Sequence, residues 1–271
     1  MSADRQTLSE RLRGGERLLG LVVKMPCAQV IECAGHIGYD LIVIDCEHGP
    51  ADTEPLEHHL RAADSVRIPV LVRVGGISGD EVLRALDAGA QGIVVSRVCT
   101  PEQAAHAVAT AHYPPIGVRG LATSTRAGRY GLVDVDEHVR RARTETLVIA
   151  QVEDAAALAH ARAIAAEQGI DAVFLGPTDL SMSLGYPGQL AHPVVVDAIE
   201  HVTQEVRAAG QVLVTLVSDE AEARAWWDRG AQVVLLAAPI VIAKRLTEIA
   251  RSVRGGQACD ADDALLEEVG P

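Results

Sequence analysis

The chain has 271 residues, 48% of them hydrophobic and 23% charged, a composition that supports a large packed core and excludes a disordered polymer. Its formal net charge of −13, with Lys and Arg scattered along the chain, argues against a nucleic-acid surface, where phosphates need clustered cations. Aromatic residues make up only 3%, so Val, Leu, Ile and Ala must build the core, which suits parallel strands buried on both faces.

The N-terminal stretch MSADRQTLSERLRGGER is polar and lacks the apolar centre of a signal peptide, and no apolar run approaches the roughly 18 residues of a membrane span. Five cysteines (Cys27, Cys33, Cys46, Cys99, Cys259) show no CxxC spacing and read as reduced thiols, so a cytoplasmic protein without membrane or nucleic-acid partners is expected.

Short apolar runs then alternate with helical stretches. LLGLVV (18–23), LIVID (41–45), PVLVRV (69–74), QGIVVS (91–96), LVIAQVE (147–153), AVFLG (172–176), VLVTLV (212–217) and QVVLLA (232–237) read as eight strands. Between them lie Ala-rich amphipathic segments such as DEVLRALDAGA and DEAEARAWWDRGA, each ending in Gly-Ala where glycine caps a helix. Eight βα units over this length predict a single-domain (β/α)8 TIM barrel spanning residues 1–255, with residues 256–271 as a C-terminal tail. A Rossmann sheet is disfavoured because no GxGxxG follows the first strand. The long connection 97–146, containing YPPIGVRGLATSTRAGRYG, is expected to be functional or to cover the site.

Barrel active sites lie at the C-terminal strand ends. Strand two ends Asp45-Cys46-Glu47-His48, strand three carries Arg73, strand five ends Gln151-Val152-Glu153, and strand six runs into Gly176-Pro177-Thr178-Asp179. Glu153 and Asp179 end neighbouring strands and form the oxygen donor pair that Mg2+ or Mn2+ accepts, although Asp179 could instead cap the helix that follows it. His48 near Asp45 reads as a general base, and Arg73 as a carboxylate or enolate partner or else an ion-pair partner of Glu47. The other histidines, among them His58, His59, His106, His112 and His138, read as solvent-facing. Strands seven and eight end without the glycines of a phosphate cradle, which disfavours a phosphorylated substrate. Lys24 and Lys244 are the only lysines and neither stands at a middle-strand tip, so Schiff-base chemistry is not expected.

IDCEHGP, LVRV, LDAGAQGIVV, YPPIGVRG, QVED and GPTDLSMSLGYPG occur in this order. Together they resemble the HpcH/HpaI aldolase family from about residue 18 to residue 246. These are metal-dependent class II aldolases that cleave 4-hydroxy-2-oxo acids to pyruvate and an aldehyde through an enolate. The resemblance implies a divalent metal (Mg2+, Mn2+ or Co2+) on Glu153 and Asp179 and His48 as base. Asp45 would stand beside that base, and Asp87 would reach it across a subunit contact. Arg73 would meet the enolate, Gln151 and the Gly176, Pro177, Thr178 and Asp179 turn would hold the pyruvate unit, and Leu216 would line the pocket. It also implies a homo-oligomer, a hexamer built from dimers, with the C-terminal helix packed on or exchanged with a partner.

Cys46, Ser96 and Val214 stand where the family commonly has Gly, Pro and Gly, so the choice of aldehyde is open. A CoA-thioester C–C lyase of the malyl- or citramalyl-CoA type and an oxaloacetate-decarboxylating, C–C bond-forming enzyme remain alternatives. A barrel without catalytic duty would leave the His, Arg and acid set idle.

Overall fold

A computed structural model describes residues 6–49 and 53–254. The strands are β1 (Leu18–Val23), β2 (Leu41–Asp45), β3 (Val70–Val74), β4 (Gly92–Val95), β5 (Leu147–Val152), β6 (Ala172–Leu175), β7 (Val212–Val217) and β8 (Val233–Ala237). They pair in parallel in chain order, and β8 closes on β1. The predicted tail 256–271 and Cys259 lie outside the described residues.

Alternation along each strand separates two cores. One parity fills the barrel with Leu18, Val22, Leu41, Val43, Leu71, Val94, Leu147, Ile149, Phe174, Val214 and Leu235. The other parity packs outward, with Ile42, Ile44, Val72, Ile93, Val148 and Val173 against the helices. Gly20 is required inside: a Cβ there would meet Leu235 Cδ2 at 2.5 Å. Helix α1 (Leu8–Arg13), closed by a capping box between Thr7 and Glu10, inserts Leu8 and Leu12 into the interior cluster and plugs the end where the strands begin.

The helices that shape the rest are α2 (Ala28–Ile37), α3 (Thr53–Val66), α4 (Gly79–Asp87), α5 (Pro101–Ala111), α6 (Val135–Glu145), α7 (Ala161–Ala165), α8 (Pro177–Ser183), α9 (Pro193–Ala208), α10 (Glu220–Arg229) and α11 (Ala238–Val253). The apolar residues of α4 fall on one face (Val82, Ala85, Leu86), as the 3.6-residue period requires of a helix laid on a sheet. No helix among the described residues is long and apolar enough to cross a membrane.

Two expectations are corrected. Connection 97–146 does not cover the C-terminal strand ends of its own chain. Helix α5 carries the chain back to the opposite end, where the Arg126 guanidinium donates to Ala88 O and the Ala127 N–H to Asp87 O, beneath β4. Nor are all five histidines solvent-facing: His59, His112 and His138 are buried. His59 shares its helix face with Leu56, Leu60 and Ala63, and burial lowers its pKa. The Tyr113 hydroxyl meets His138 Nε2 at 3.1 Å, and burial likewise holds that ring below the ordinary histidine value.

Candidate active site

The interior parity does not stop at the apolar core. Continued by two residues it places Asp45 above Val43, Arg73 above Leu71, Ser96 above Val94, Gln151 and Glu153 above Ile149, Gly176 above Phe174 and Leu216 above Val214. A hydrophobic barrel is thereby topped by a polar layer at the C-terminal strand ends.

Asp45 and Arg73 are direct partners in the β2–β3 register. Arg73 Nε donates to Asp45 Oδ1 at 2.9 Å and Nη2 to Oδ2 at 2.5 Å, both side chains being almost fully buried. Asp45 Oδ1 also accepts the backbone N–H groups of Glu47 and His48, which folds the strand end into a turn. Burial pushes the Asp45 carboxyl up, but the Arg73 hydrogen bond and charge outweigh it and leave the pKa below its usual value. Lys24, just after β1, adds its ammonium at 3.7 Å. Asp45 is thus occupied by Arg73, and the carboxylate beside the His48 ring is that of Glu47, 3.8 Å from Nε2. The His48 side chain is itself exposed at the rim.

Glu153 is the electrostatic centre. Its Oε1 accepts the Arg97 backbone N–H at 2.9 Å and its Oε2 accepts Gln151 Nε2 at 2.5 Å. Burial, then the charges of Asp179 and Glu47, push its pKa up to about 7, against the opposing pull of the Arg97 N–H and Arg73. Asp179 is exposed, in the first turn of α8, and that helix carries no side-chain cap, so the capping role is not the one adopted. Gly176 lies against Glu153: an added Cβ would stand 2.9 Å from Glu153 Cβ and 3.1 Å from Oε2.

A hard divalent cation fits this donor set. Two carboxylates from adjacent strand ends, one of them too crowded by negative charge to ionise readily, lack a compensating cation, and Mg2+ or Mn2+ sites commonly leave the remaining positions to water and substrate. Among the described residues no three His, Cys, Asp or Glu side chains form a complete cage. No thiolate role is indicated, since burial and then the Asp45 charge push the Cys46 thiol up to about 11.

Sequence reasoning did not assign Glu47 and Arg97 to the site. Glu47 accepts from Ser96 Oγ at 2.6 Å and lies 3.6 Å from Arg73 Nε and 3.7 Å from Arg97 Nη2. The two-residue step from Asp45 to Glu47 was the available signal. Arg97 breaks the strand parity and carried none.

Asp87 does not join this cluster within one chain. It ends α4, at the far end of the barrel, where Arg119 Nη2 holds it at 2.8 Å. Leu216 is half-buried at the upper edge of the interior, and Thr178 is exposed beside Asp179. Two clefts of about 450 and 530 Å3 also lie at the far end, flanked by paired charges such as Arg141–Glu145 and Arg126–Asp64 rather than by a convergent acid–base set.

A closed (β/α)8 barrel with an acid cluster, a buried arginine and a histidine at its C-terminal strand ends has the architecture of a barrel enzyme. The profile of the HpcH/HpaI aldolase/citrate lyase family matches residues 19–240, and the chain belongs to that family. It is 38% identical over 234 residues to a hydroxypyruvate/pyruvate aldolase of Sagittula stellata, covering 86% of this chain and 92% of the relative. It is 38% identical over 218 residues to a 2-keto-3-deoxy-L-rhamnonate aldolase of Salmonella gallinarum, covering 79% of this chain and 80% of the relative. The crystal structure of an HpcH/HpaI aldolase/citrate lyase family protein from Burkholderia cenocepacia superposes with a TM-score of 0.86 at 35% identity, covering 91% of this chain and 98% of that one.

Proposed function

We propose that this protein is a divalent-metal-dependent pyruvate aldolase, a carbon–carbon lyase that reversibly cleaves a 4-hydroxy-2-oxo acid to pyruvate, or a close analogue, and an aldehyde. The observation that carries the reading is the Glu153 carboxylate, pushed up to about 7 by burial, Asp179 and Glu47 at the tips of β5 and β6. Such a site is poised to trade protons for a cation. The aldolase names of the relatives from Sagittula stellata and Salmonella gallinarum support it.

Glu153 and Asp179 would hold the ion, which when bound supplies Lewis-acid stabilisation of the enolate. Gln151 and the Gly176–Pro177–Thr178–Asp179 turn would seat the pyruvate unit, with Leu216 as a wall. His48, exposed at the rim beside Glu47, would take the 4-hydroxyl proton directly or through a water. The C3–C4 bond then breaks, the aldehyde leaves, and its electron pair passes into the C2–C3 enolate. Arg73, locked from behind by Asp45, presents its remaining guanidinium N–H groups to the developing oxyanion. Reprotonation at C3 gives the pyruvate methyl group.

The same reading includes a homo-oligomer. Ile242, Leu246, Ile249 and Val253 form an exposed apolar stripe on α11, suited to packing on a second copy. Asp87 could approach His48 only from another chain, since the two lie at opposite ends of one barrel. Light scattering of the purified protein reports the assembly.

The test is a pyruvate-release assay on a panel of 4-hydroxy-2-oxo acids, run after chelation and after adding back Mg2+, Mn2+ or Co2+. Metal-restored release of pyruvate supports the reading, and full activity in chelator-stripped protein refutes it. Oxaloacetate and a CoA-thioester substrate in the same assay separate the decarboxylase and CoA-lyase alternatives.

A further inference from the structure

Arg97 is built into the rim but has no part in the chemistry above. The interior parity of β4 runs Val94, Ser96, so the next residue should point outward to the helix layer. Instead Arg97 adopts φ 55°, the left-handed region that residues other than glycine seldom enter. The bend turns its N–H onto Glu153 and brings its guanidinium back over the strand tips, where Nη2 donates to Gly75 O at 3.0 Å and lies 3.7 Å from Glu47 Oε1.

The charges around it define what this side chain can bind. The rim carries Asp45, Glu47, Glu153 and Asp179, and an anion approaching them is repelled. Arg73 is buried and committed to Asp45, and the Lys24 ammonium also faces Asp45. Arg97 differs from both. It exposes 65% of its side chain, and among the described residues Nη2 alone makes a hydrogen bond, leaving Nε and Nη1 for a planar, two-point partner. Its contact with Glu47 is long and partly solvated, so it is readily exchanged, and Ser96 already satisfies Glu47 Oε2.

We propose that Arg97 is a specificity-determining residue that receives a carboxylate at the far end of the aldehyde, so that the favoured second substrate is an aldehyde acid and the favoured cleavage substrate a 4-hydroxy-2-oxo diacid. This rests on the aldolase reading: the 2-oxo acid end is anchored at Glu153, Asp179 and Arg73, and Arg97 stands beside Glu153 on the open side of the rim, where the chain beyond C4 emerges.

The experiment compares pyruvate addition to succinic semialdehyde and to its methyl ester, which differ in charge but scarcely in shape, by full-length Mg2+-loaded wild type, Arg97→Met and Arg97→Lys. The wild type should favour the acid, and Arg97→Met should cut the acid-to-ester ratio of kcat/KM by about 10- to 100-fold, the scale of one charge-assisted hydrogen-bonded contact, mainly through KM for the acid. Arg97→Lys should recover part of that ratio. An Mg2+ titration of Arg97→Met checks the alternative that the side chain merely props Glu153. Weaker Mg2+ binding together with an equal loss on both aldehydes would overturn the proposal, as would a wild type indifferent to the charge. A wild type that forms no aldol product with either aldehyde instead removes the aldolase reading, and this inference with it.

Discussion

Asp45 and Arg73 stand opposite each other on paired strands and share two hydrogen bonds, Nε–Oδ1 at 2.9 Å and Nη2–Oδ2 at 2.5 Å, with both side chains shielded from water. Each charge compensates the other, and the pair fixes the guanidinium at the centre of the rim. Arg73→Met would leave a buried carboxylate alone and should cost about 3–5 kcal/mol in a denaturant titration. Adding Asp45→Asn should restore most of that stability while leaving the double variant inactive. A double variant as unstable as Arg73→Met would show that the pair does not compensate in this way.

Glu153 should make the metal-free protein sensitive to pH. Its carboxyl ionises near 4.5 when unfolded and at about 7 in the folded chain. The folded state therefore holds its proton longer, and stability is full below 4.5 and is lost as pH rises through 7. The loss should reach the order of 2–3 kcal/mol. In urea titrations with chelator, Glu153→Gln should match wild type near pH 4.5 and exceed it at pH 8. Two curves that stay parallel across this range would remove the ionisation penalty from the account.

Gly176→Ala probes the wall behind the same carboxylate. The new methyl group would press on Glu153 Cβ from 2.9 Å and on Gln151 Nε2 from 3.2 Å. Disturbing the support of a metal ligand commonly costs about 10–100-fold in affinity, and Mn2+ binding followed by calorimetry should weaken on that scale. Unaltered affinity would mean that Glu153 is not held from this side.

His48→Ala should lower kcat for retro-aldol cleavage by about 10²-fold or more, the scale of a missing general base. Added imidazole should recover part of the rate, because the His48 side chain is exposed and its removal opens a cavity to solvent. An unaffected kcat assigns the base elsewhere.

Most of the barrel was legible in the sequence because buried parallel strands are uninterrupted Val, Leu and Ile runs. β1, β2 and β7 fall where LLGLVV, LIVID and VLVTLV place them, and the other strands differ by one residue at an end. The polar layer was legible for the same reason: residues that continue the interior parity beyond the apolar core become rim residues. Parity could not reveal Arg97, which enters the site by a left-handed bend, nor that Asp45 prefers Arg73 to His48, which depends on strand register. The buried histidines were missed because composition ranks imidazole as polar, whereas His59 lies on the apolar face of α3 and His138 has the Tyr113 hydroxyl for company. The segment after α5 was misplaced because its length says nothing about which end of the barrel receives it.

The most direct test of the account is exchange of the pyruvate methyl protons with deuterated water, followed by NMR with no aldehyde present. It isolates enolate formation from the choice of second substrate. Exchange should require added Mg2+, Mn2+ or Co2+ and disappear in Glu153→Ala and Asp179→Ala. Exchange that persists at the wild-type rate in either variant, or in metal-stripped wild type, would contradict an enolate site built on these two carboxylates.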